Sequence, residues 1–516
     1  MADQDQQKEP AIEQETPQAE GFSSTFWFLN GIEAFERLSY FCLRVMAPIY
    51  IMQVGANSGG LHLTAEHKGT IYLWWFLFQS LLPIVTGGIA DRYGYKKILT
   101  FAITMNTVGY LVMAFVHTYL GFFGGVILLA TGTAFFKPSL QGSLAHTMGD
   151  KKSSMGWGIF YWVVNVGSLV SHFIAAPIMA TGGGDKTEAA WERLFVACAI
   201  FSAMNFLLLF TFKDVPSGAR KDESPFQVLW RTLVNVFDPR LITWLLIMSC
   251  FWLMMYQLWD LQPNFIEDWV DSSSIAGMIP EGMAQSMSLV EKGDYGQARV
   301  PQQVLISLNA TMIVLFVVLV SWLVRKMRTL SAMFFGMVMA SAGVLLAGWT
   351  GNGWFLLLGI VFFSLGEMLT GPKKQEYLGL IAPPGKKAMY LGYVNIPVGI
   401  GGAFGSWLAG KVYGTYGEKA TLALKYLMEK TSYGAERAWD GSVDTLVAAA
   451  GIERTDAFEF LMNHLQIGGK EATQLLWDTY QPNLHVWIPF AAIGVVAAIA
   501  LAIFGQMAKR WKDMNA

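Results

Sequence analysis

Residues 33–44 read EAFERLSYFCLR inside a long apolar segment. A helix advances about 100° per residue, which gathers Glu33, Glu36, Arg37, Tyr40 and Arg44 into one stripe about 100° wide. The rest of the segment is dominated by Leu, Phe, Val, Met and Ile. A charged side chain inside a membrane helix costs about 2.5–3.5 kcal/mol on insertion scales. Four on one face are tolerated where that face borders a watery cavity and the charges pair. Acids and bases three or four residues apart can pair within the helix. An ion-paired brace between helices is the plainer reading, but a brace requires neither Tyr40 nor a second Arg on the line. The stripe reads as a cavity wall that binds and releases charge.

Polar groups interrupt other apolar segments as well: Lys137 in GTAFFKPS, Asn165 in FYWVVNVGSL, Asn309 in SLNATM, and Glu367 and Lys374 in GEMLTGPKKQEY. Glu33 or Glu36 is the expected partner of Lys137. Glu367 and Lys374 are nearly two turns apart and share a face, whereas Lys373 points elsewhere. The two Asn side chains also suit hydrogen bonds between helices. An unpaired charge in lipid is rare, so the three charged residues point into a cavity.

The elements that must position these groups are membrane helices. The chain has 516 residues, of which 53% are hydrophobic and only 14% charged. Soluble domains run nearer 25% charged, and mean hydropathy is +0.39. The formal net charge of −2 gives no reason to expect nucleic-acid binding. Cys42, Cys198 and Cys250 all fall in apolar segments and read as small buried side chains rather than a disulfide or zinc framework. About twelve stretches reach the roughly 20 apolar residues a span requires: 26–53, 68–90, 97–117, 119–147, 156–181, 191–212, 241–266, 301–324, 330–349, 353–381, 386–413 and 485–507.

Residues 1–22 are polar and acidic, have no signal-peptide core, and read as a disordered cytoplasmic tail. Basic connectors, including DRYGYKK at 91–97, RKMR at 325–328 and KRWK at 509–512, fall on one side. The positive-inside rule then places both termini in the cytoplasm. The expected organisation is a 23–212 half of six helices, a 213–240 cytoplasmic linker, helices seven to eleven over 241–413, an outer helical insertion over 414–484, and the twelfth helix with its tail over 485–516. The insertion shows helical spacing in EKATLALKYLMEK and TDAFEFLMNHLQI. A second outward segment, 267–300, follows the seventh span. This all-α layout of two six-helix halves is the major-facilitator plan, with its site at the midplane between halves. The loop motif Gly88-x-x-Asp91-Arg92-x-Gly94-x-Lys96-Lys97 supports it and reads as a conformational element.

Together these motifs resemble the proton-coupled oligopeptide transporters, the PTR branch of the major facilitators. That family's first-helix signature, E-x-x-E-R-F-x-Y-Y followed by an Arg, stands here as Glu33, Glu36, Arg37, Leu38, Tyr40, Phe41 and Arg44. FYxxINxGSL stands as FYWVVNVGSL, the helix-four Lys as Lys137, SLNP as SLNA (307–310), and GE…SP as Gly366, Glu367 and Pro372. The resemblance runs over roughly residues 25–410. It implies that Glu33, Glu36, Arg37 and Lys137 form the proton-responsive cluster. It implies that Arg44 and Lys137 meet a substrate carboxylate, that Asn165, Asn309 and Glu367 meet its amino group, and that Tyr40 lines the pocket. The helix-seven acid of the family is absent: FWLMMYQ places Tyr256 there, and a phenol does not replace a carboxylate near neutral pH. Asp260, one turn later, is the substitute. Ser80 and Leu81 stand where a pocket tyrosine is expected. Lys374 is an added cation, the two extra helices of many bacterial members are absent, and the 414–484 insertion is additional.

The resemblance implies a proton-driven symporter of the bacterial inner membrane, importing a di- or tripeptide or a similar zwitterionic solute by alternating access. Its expected partners are that solute, protons and the lipid bilayer, with no cofactor beyond the proton gradient. One alternative is an anionic or modified amino-acid compound that uses Lys374. Another is a receptor or scaffold whose outer insertion binds an unidentified partner, although a receptor has no need of a charged midplane. No HExxH, GxSxG, P-loop or Cys/His cluster is present, which argues against an enzyme. The last expectation is geometric: Asp260 and Lys374 approach each other across the contact of helices seven and ten and gate the outer mouth.

Overall fold

A computed structural model describes residues 21–54, 58–148, 153–181, 186–214, 234, 236–293, 298–382 and 387–510. Most of the 1–22 tail, most of the 213–240 linker and the Asp91 side chain lie outside the described residues. The N-terminal half is built from α1 (Ser24–Met52), α2 (Ala65–Leu81), α3 (Pro83–Tyr93), α4 (Tyr95–Phe115), α5 (Tyr119–Thr147), α6 (Ser153–Ala180) and α7 (Glu188–Leu209). Polar residues start several of these helices by capping free backbone donors. Ser23 accepts from Phe26 N at 3.2 Å, Thr64 from His67 N at 3.3 Å and Thr118 from Gly121 N at 3.1 Å. Pro83 divides the second span into α2 and α3.

The seventh span is broken. It consists of α8 (Pro239–Met255) and α9 (Gln257–Asp260); α10 (Gln262–Trp269) follows it outside the span, with Pro263 removing a helical donor just after Asp260. Two short helices follow, α11 (Ser273–Ala276) and α12 (Glu281–Ser286), then an antiparallel pair β1 (Glu291–Lys292) and β2 (Ala298–Arg299). The C-terminal half continues with α13 (Gln302–Val324), α14 (Thr329–Trp349), α15 (Gly353–Ile381), α16 (Lys387–Gly392) and α17 (Asn395–Tyr416). The insertion folds as α18 (Lys419–Lys430), α19 (Ser432–Ala435), α20 (Val443–Ala450), α21 (Ala457–Leu465) and α22 (Gly469–Tyr480) around buried Leu422, Leu427, Leu446, Leu461 and Leu476. Helix α23 (Pro482–Arg510) closes the bundle.

Among the described residues, 10 helical segments are long and apolar enough to cross a membrane. Helices α1 and α17, of 29 and 22 residues, have spanning length but fall outside that set. The first carries the charged stripe and the second is glycine-rich. Large apolar side chains such as Leu207, Val318 and Ile503 are exposed on the flanks, where lipid is the natural solvent. Across the centre, α2 packs along α17 and α6 along α13. The first contact needs glycine: a Cβ on Gly410 would lie 2.5 Å from Ala65 O. The insertion covers one end of the bundle, the cap end.

Candidate functional site

The stripe on α1 is buried throughout: Glu33, Glu36, Arg37 and Arg44 are each at most 5% exposed. Arg37 serves both acids. Its Nε lies 3.2 Å from Glu33 Oε1 and donates to Glu36 Oε2 at 2.5 Å. The guanidinium also sits 4.9 Å from the centre of the Tyr40 ring, and Tyr40 donates its hydroxyl proton to Gln79 Oε1 at 3.1 Å. Lys137 on α5 is within electrostatic reach of Glu33, Glu36 and Arg37. Among the described residues it forms no ion pair with either acid; Arg37 on the same helix pairs with both, and Lys137 meets them only electrostatically.

Arg44 behaves differently from its neighbours. The resemblance implies that it meets a substrate carboxylate; in this structure its partner is the Asp260 carboxylate, 216 residues away in the broken seventh span. The guanidinium lies 4.2 Å from the Tyr72 ring centre and 5.2 Å from that of Trp75. Ser406 Oγ on α17 donates to the second Asp260 oxygen. The expected Asp260–Lys374 gate is therefore not formed, since Arg44 and Ser406 take both oxygens of the carboxylate.

Lys68 belongs to the same junction and escaped the sequence reading. It is 1% exposed and donates to Asp260 O at 2.8 Å and to Asn264 Oδ1 at 2.6 Å. The break around Pro263 disturbs the regular backbone bonding of this stretch, and Lys68 binds into it from α2. Its signal was a single cation in HKGTIYLWW at the start of an apolar run. Asn264 donates onward to Pro48 O at 3.0 Å, and Gln302 to Val45 O at 3.0 Å. Lys186, in the segment joining α6 to α7, pairs with Glu267 Oε1 at 2.7 Å. The hydrogen bonds and ion pairs joining the two halves thus cluster at the cap end of the described residues. Burial alone would raise the Glu267 carboxyl, but Arg299 and then Lys186 hold it at about 2. Its neighbour Asp268 is pushed up to about 6 by burial, against the pull of Lys419 and the hydrogen bond from Tyr413.

In the C-terminal half Asn309 donates to Glu367 Oε2 at 3.0 Å and to Ser364 Oγ at 3.1 Å. Lys374 interacts electrostatically with Glu367 and places its ammonium 4.1 Å from the Trp252 ring centre. Lys373 does point elsewhere and pairs with Glu376 at 2.8 Å. Tyr256 sits at the break between α8 and α9 and packs on Phe76 of the other half, ring centres 4.4 Å apart. Asn165 donates to Tyr161 O of its own helix at 2.8 Å and, among the described residues, makes no hydrogen bond to another site residue, although Tyr161 is within electrostatic reach of Glu367. In the loop motif Gly94 has φ +96°, a conformation suited to glycine, and Lys96 N donates to Asp214 Oδ1 at 3.1 Å. Cys250 is exposed rather than buried. Among the described residues no three His, Cys, Asp or Glu side chains converge as a metal site.

The Major Facilitator Superfamily model matches residues 31–406. The chain belongs to the Major Facilitator Superfamily. As a facilitator it is an integral membrane transporter and not an enzyme. The multidrug resistance protein MdtH of Klebsiella pneumoniae is 22% identical over 345 residues, 66% of this chain and 77% of that protein. The di-/tripeptide transporter of Lactococcus lactis is 23% identical over 263 residues, so the match spans about half of each chain, 50% and 49%. A crystal structure of a POT family transporter in complex with 5-aminolevulinic acid superposes with TM-score 0.61 at 15% identity, covering 89% of this chain and 96% of that one. The nucleoside transporter NupG gives TM-score 0.62 at 11% identity, covering 94% and 100%. At these identities the structural likeness shows the facilitator fold and leaves the solute open.

Proposed function

We propose that this facilitator is a proton-coupled symporter that imports di- or tripeptides, or a similar small zwitterion, across the bacterial inner membrane by alternating access. The observation that carries this reading is the unequal sharing of charge on α1: two buried acids hold one Arg37 while Lys137 stands beside them without an ion pair. A proton on either acid removes its negative charge and loosens its hold on Arg37, so that Arg37 and Lys137 together outnumber the anions beside them. A solute carboxylate can then take the released cation, so each ligand favours binding of the other. Asn309 and Glu367 in the opposite half offer acceptors for the solute's amino group, and Tyr40 lines the space between. Arg44 and Asp260, joined across the halves, close the cap end, which faces outward in this reading with both termini in the cytoplasm.

The test uses proteoliposomes supplied with dialanine. Wild type should accumulate dialanine under an inward proton gradient. Glu36→Gln should abolish that accumulation while counterflow exchange persists. Gradient-driven accumulation by Glu36→Gln equal to wild type would remove Glu36 from the coupling.

A further inference from the structure

Lys374 and Trp252 are not absorbed by the mechanism above, and their geometry bears on which solute is carried. Lys374, about two turns beyond Glu367 on α15, is partly buried, yet it forms no ion pair among the described residues. Its ammonium instead rests 4.1 Å from the ring centre of Trp252. A cation–π contact stabilises far less than an ion pair buried in the same place. Trp252 is 8% exposed, and its indole N–H is buried with no acceptor. Two donors therefore stand on adjacent side chains: the indole N–H, buried with no acceptor, and a partly exposed ammonium with no ion-pair partner among the described residues. The nearest acid, Glu367, already accepts from Asn309 at 3.0 Å.

The place is within reach of the solute path. Trp252 packs against Tyr256, ring centres 5.5 Å apart, and Tyr256 packs on Phe76 of the opposite half. Glu367 reaches Tyr161 of that half electrostatically. The Lys374–Trp252 pair thus borders the seam between halves rather than the lipid.

We infer that Lys374 and the Trp252 indole N–H form a subsite for an anionic group on the solute, so that the transporter prefers acidic dipeptides over neutral ones. This rests on the symporter reading for the rest of the site. A carboxylate there satisfies both donors. The solute's amino group still meets Glu367 and Asn309, and its main carboxylate still meets the cations of the first half.

The experiment compares Ala-Glu with its near-isostere Ala-Gln, and with Ala-Lys, by competition against dialanine uptake and by thermal stabilisation of the purified protein. For wild type, Ala-Glu should compete roughly tenfold more effectively than Ala-Gln, the scale of one charge-assisted hydrogen bond. Lys374→Gln should erase the difference, Lys374→Arg should keep it, Lys374→Glu should favour Ala-Lys, and Trp252→Phe should reduce it. Equal responses to Ala-Glu and Ala-Gln in wild type, or a preference that survives Lys374→Gln, overturn the subsite and leave symport standing. A Lys374-dependent preference for Ala-Glu without proton dependence supports the subsite and overturns the symport reading. Failure of every dipeptide to stabilise the protein or to be transported overturns both.

Discussion

Asp260→Asn tests how the halves are held together. The substitution keeps the shape and a hydrogen-bond acceptor for Ser406, but it leaves the Arg44 guanidinium buried without its counter-ion. Removing one partner of a buried pair costs about 3–5 kcal/mol. The Tyr72 and Trp75 rings flank Arg44 with or without the Asp260 charge, so their cation–π contacts leave that difference unchanged. A net loss of about 3 kcal/mol falls on the cap-end-closed arrangement, because water hydrates Arg44 once the halves part. That corresponds to a shift of roughly 150-fold between the two arrangements. The assay is a pair of spin labels at Leu120 and Met278, which are exposed at the cap end on opposite halves, in a background where exposed Cys250 is Ser. The variant should show a longer distance population that wild type lacks, and Arg44→Gln combined with Asp260→Asn should be milder than the sum of the two. An unchanged distance distribution, or strictly additive effects, would refute the reasoning.

Three further outcomes are expected. Asp268 is held at about 6 against about 3.9 when unfolded, so the folded state binds more protons between these values. Its stabilising effect is present at low pH and is lost as pH rises through about 6. Asp268→Asn should flatten the fall in melting temperature between pH 4 and pH 7 relative to wild type, and an unchanged slope would exclude Asp268. Arg454 joins Glu418 at 3.0 Å and donates to Leu63 O at 2.9 Å, so it ties the insertion to the first half. Arg454→Ala should destabilise the protein by about 3 kcal/mol through the stranded Glu418, and Arg454→Ala with Glu418→Gln should recover part of it. In the loop motif, Gly94→Ala meets both a positive φ and Asp214 Oδ2, 2.8 Å from the new Cβ. About 1–2 kcal/mol of stability should be lost, and Asp214→Ala should relieve only the steric part.

What the sequence revealed and what it hid follow the reach of each interaction. The α1 stripe was legible because helical periodicity alone puts Glu33, Glu36, Arg37, Tyr40 and Arg44 on one face. The Glu33–Arg37 pair was legible for the same reason, being one turn long. Asn309 and Glu367 were legible as polar residues in apolar runs, since such residues need partners. The partner of Arg44 was hidden, because Asp260 reaches it only through the break at Pro263 and the packing of two halves. Lys68 was hidden by its place near the start of a span, where a lysine ordinarily extends to the membrane surface. The Asp260–Lys374 expectation failed because it paired Asp260 with the unmatched base of the tenth span, whereas Arg44 of the other half and Ser406 hold both carboxylate oxygens.

If solute and protons move together, a dialanine gradient alone must drive protons across the membrane. Proteoliposomes holding a pH-sensitive dye are given dialanine outside, at equal pH on both sides and with the membrane potential clamped. Dialanine should acidify the lumen with wild type. With Glu36→Gln, no dialanine-dependent acidification should occur under conditions where that variant still exchanges dialanine. Dialanine entry through wild type with no change in lumenal pH would contradict coupled movement.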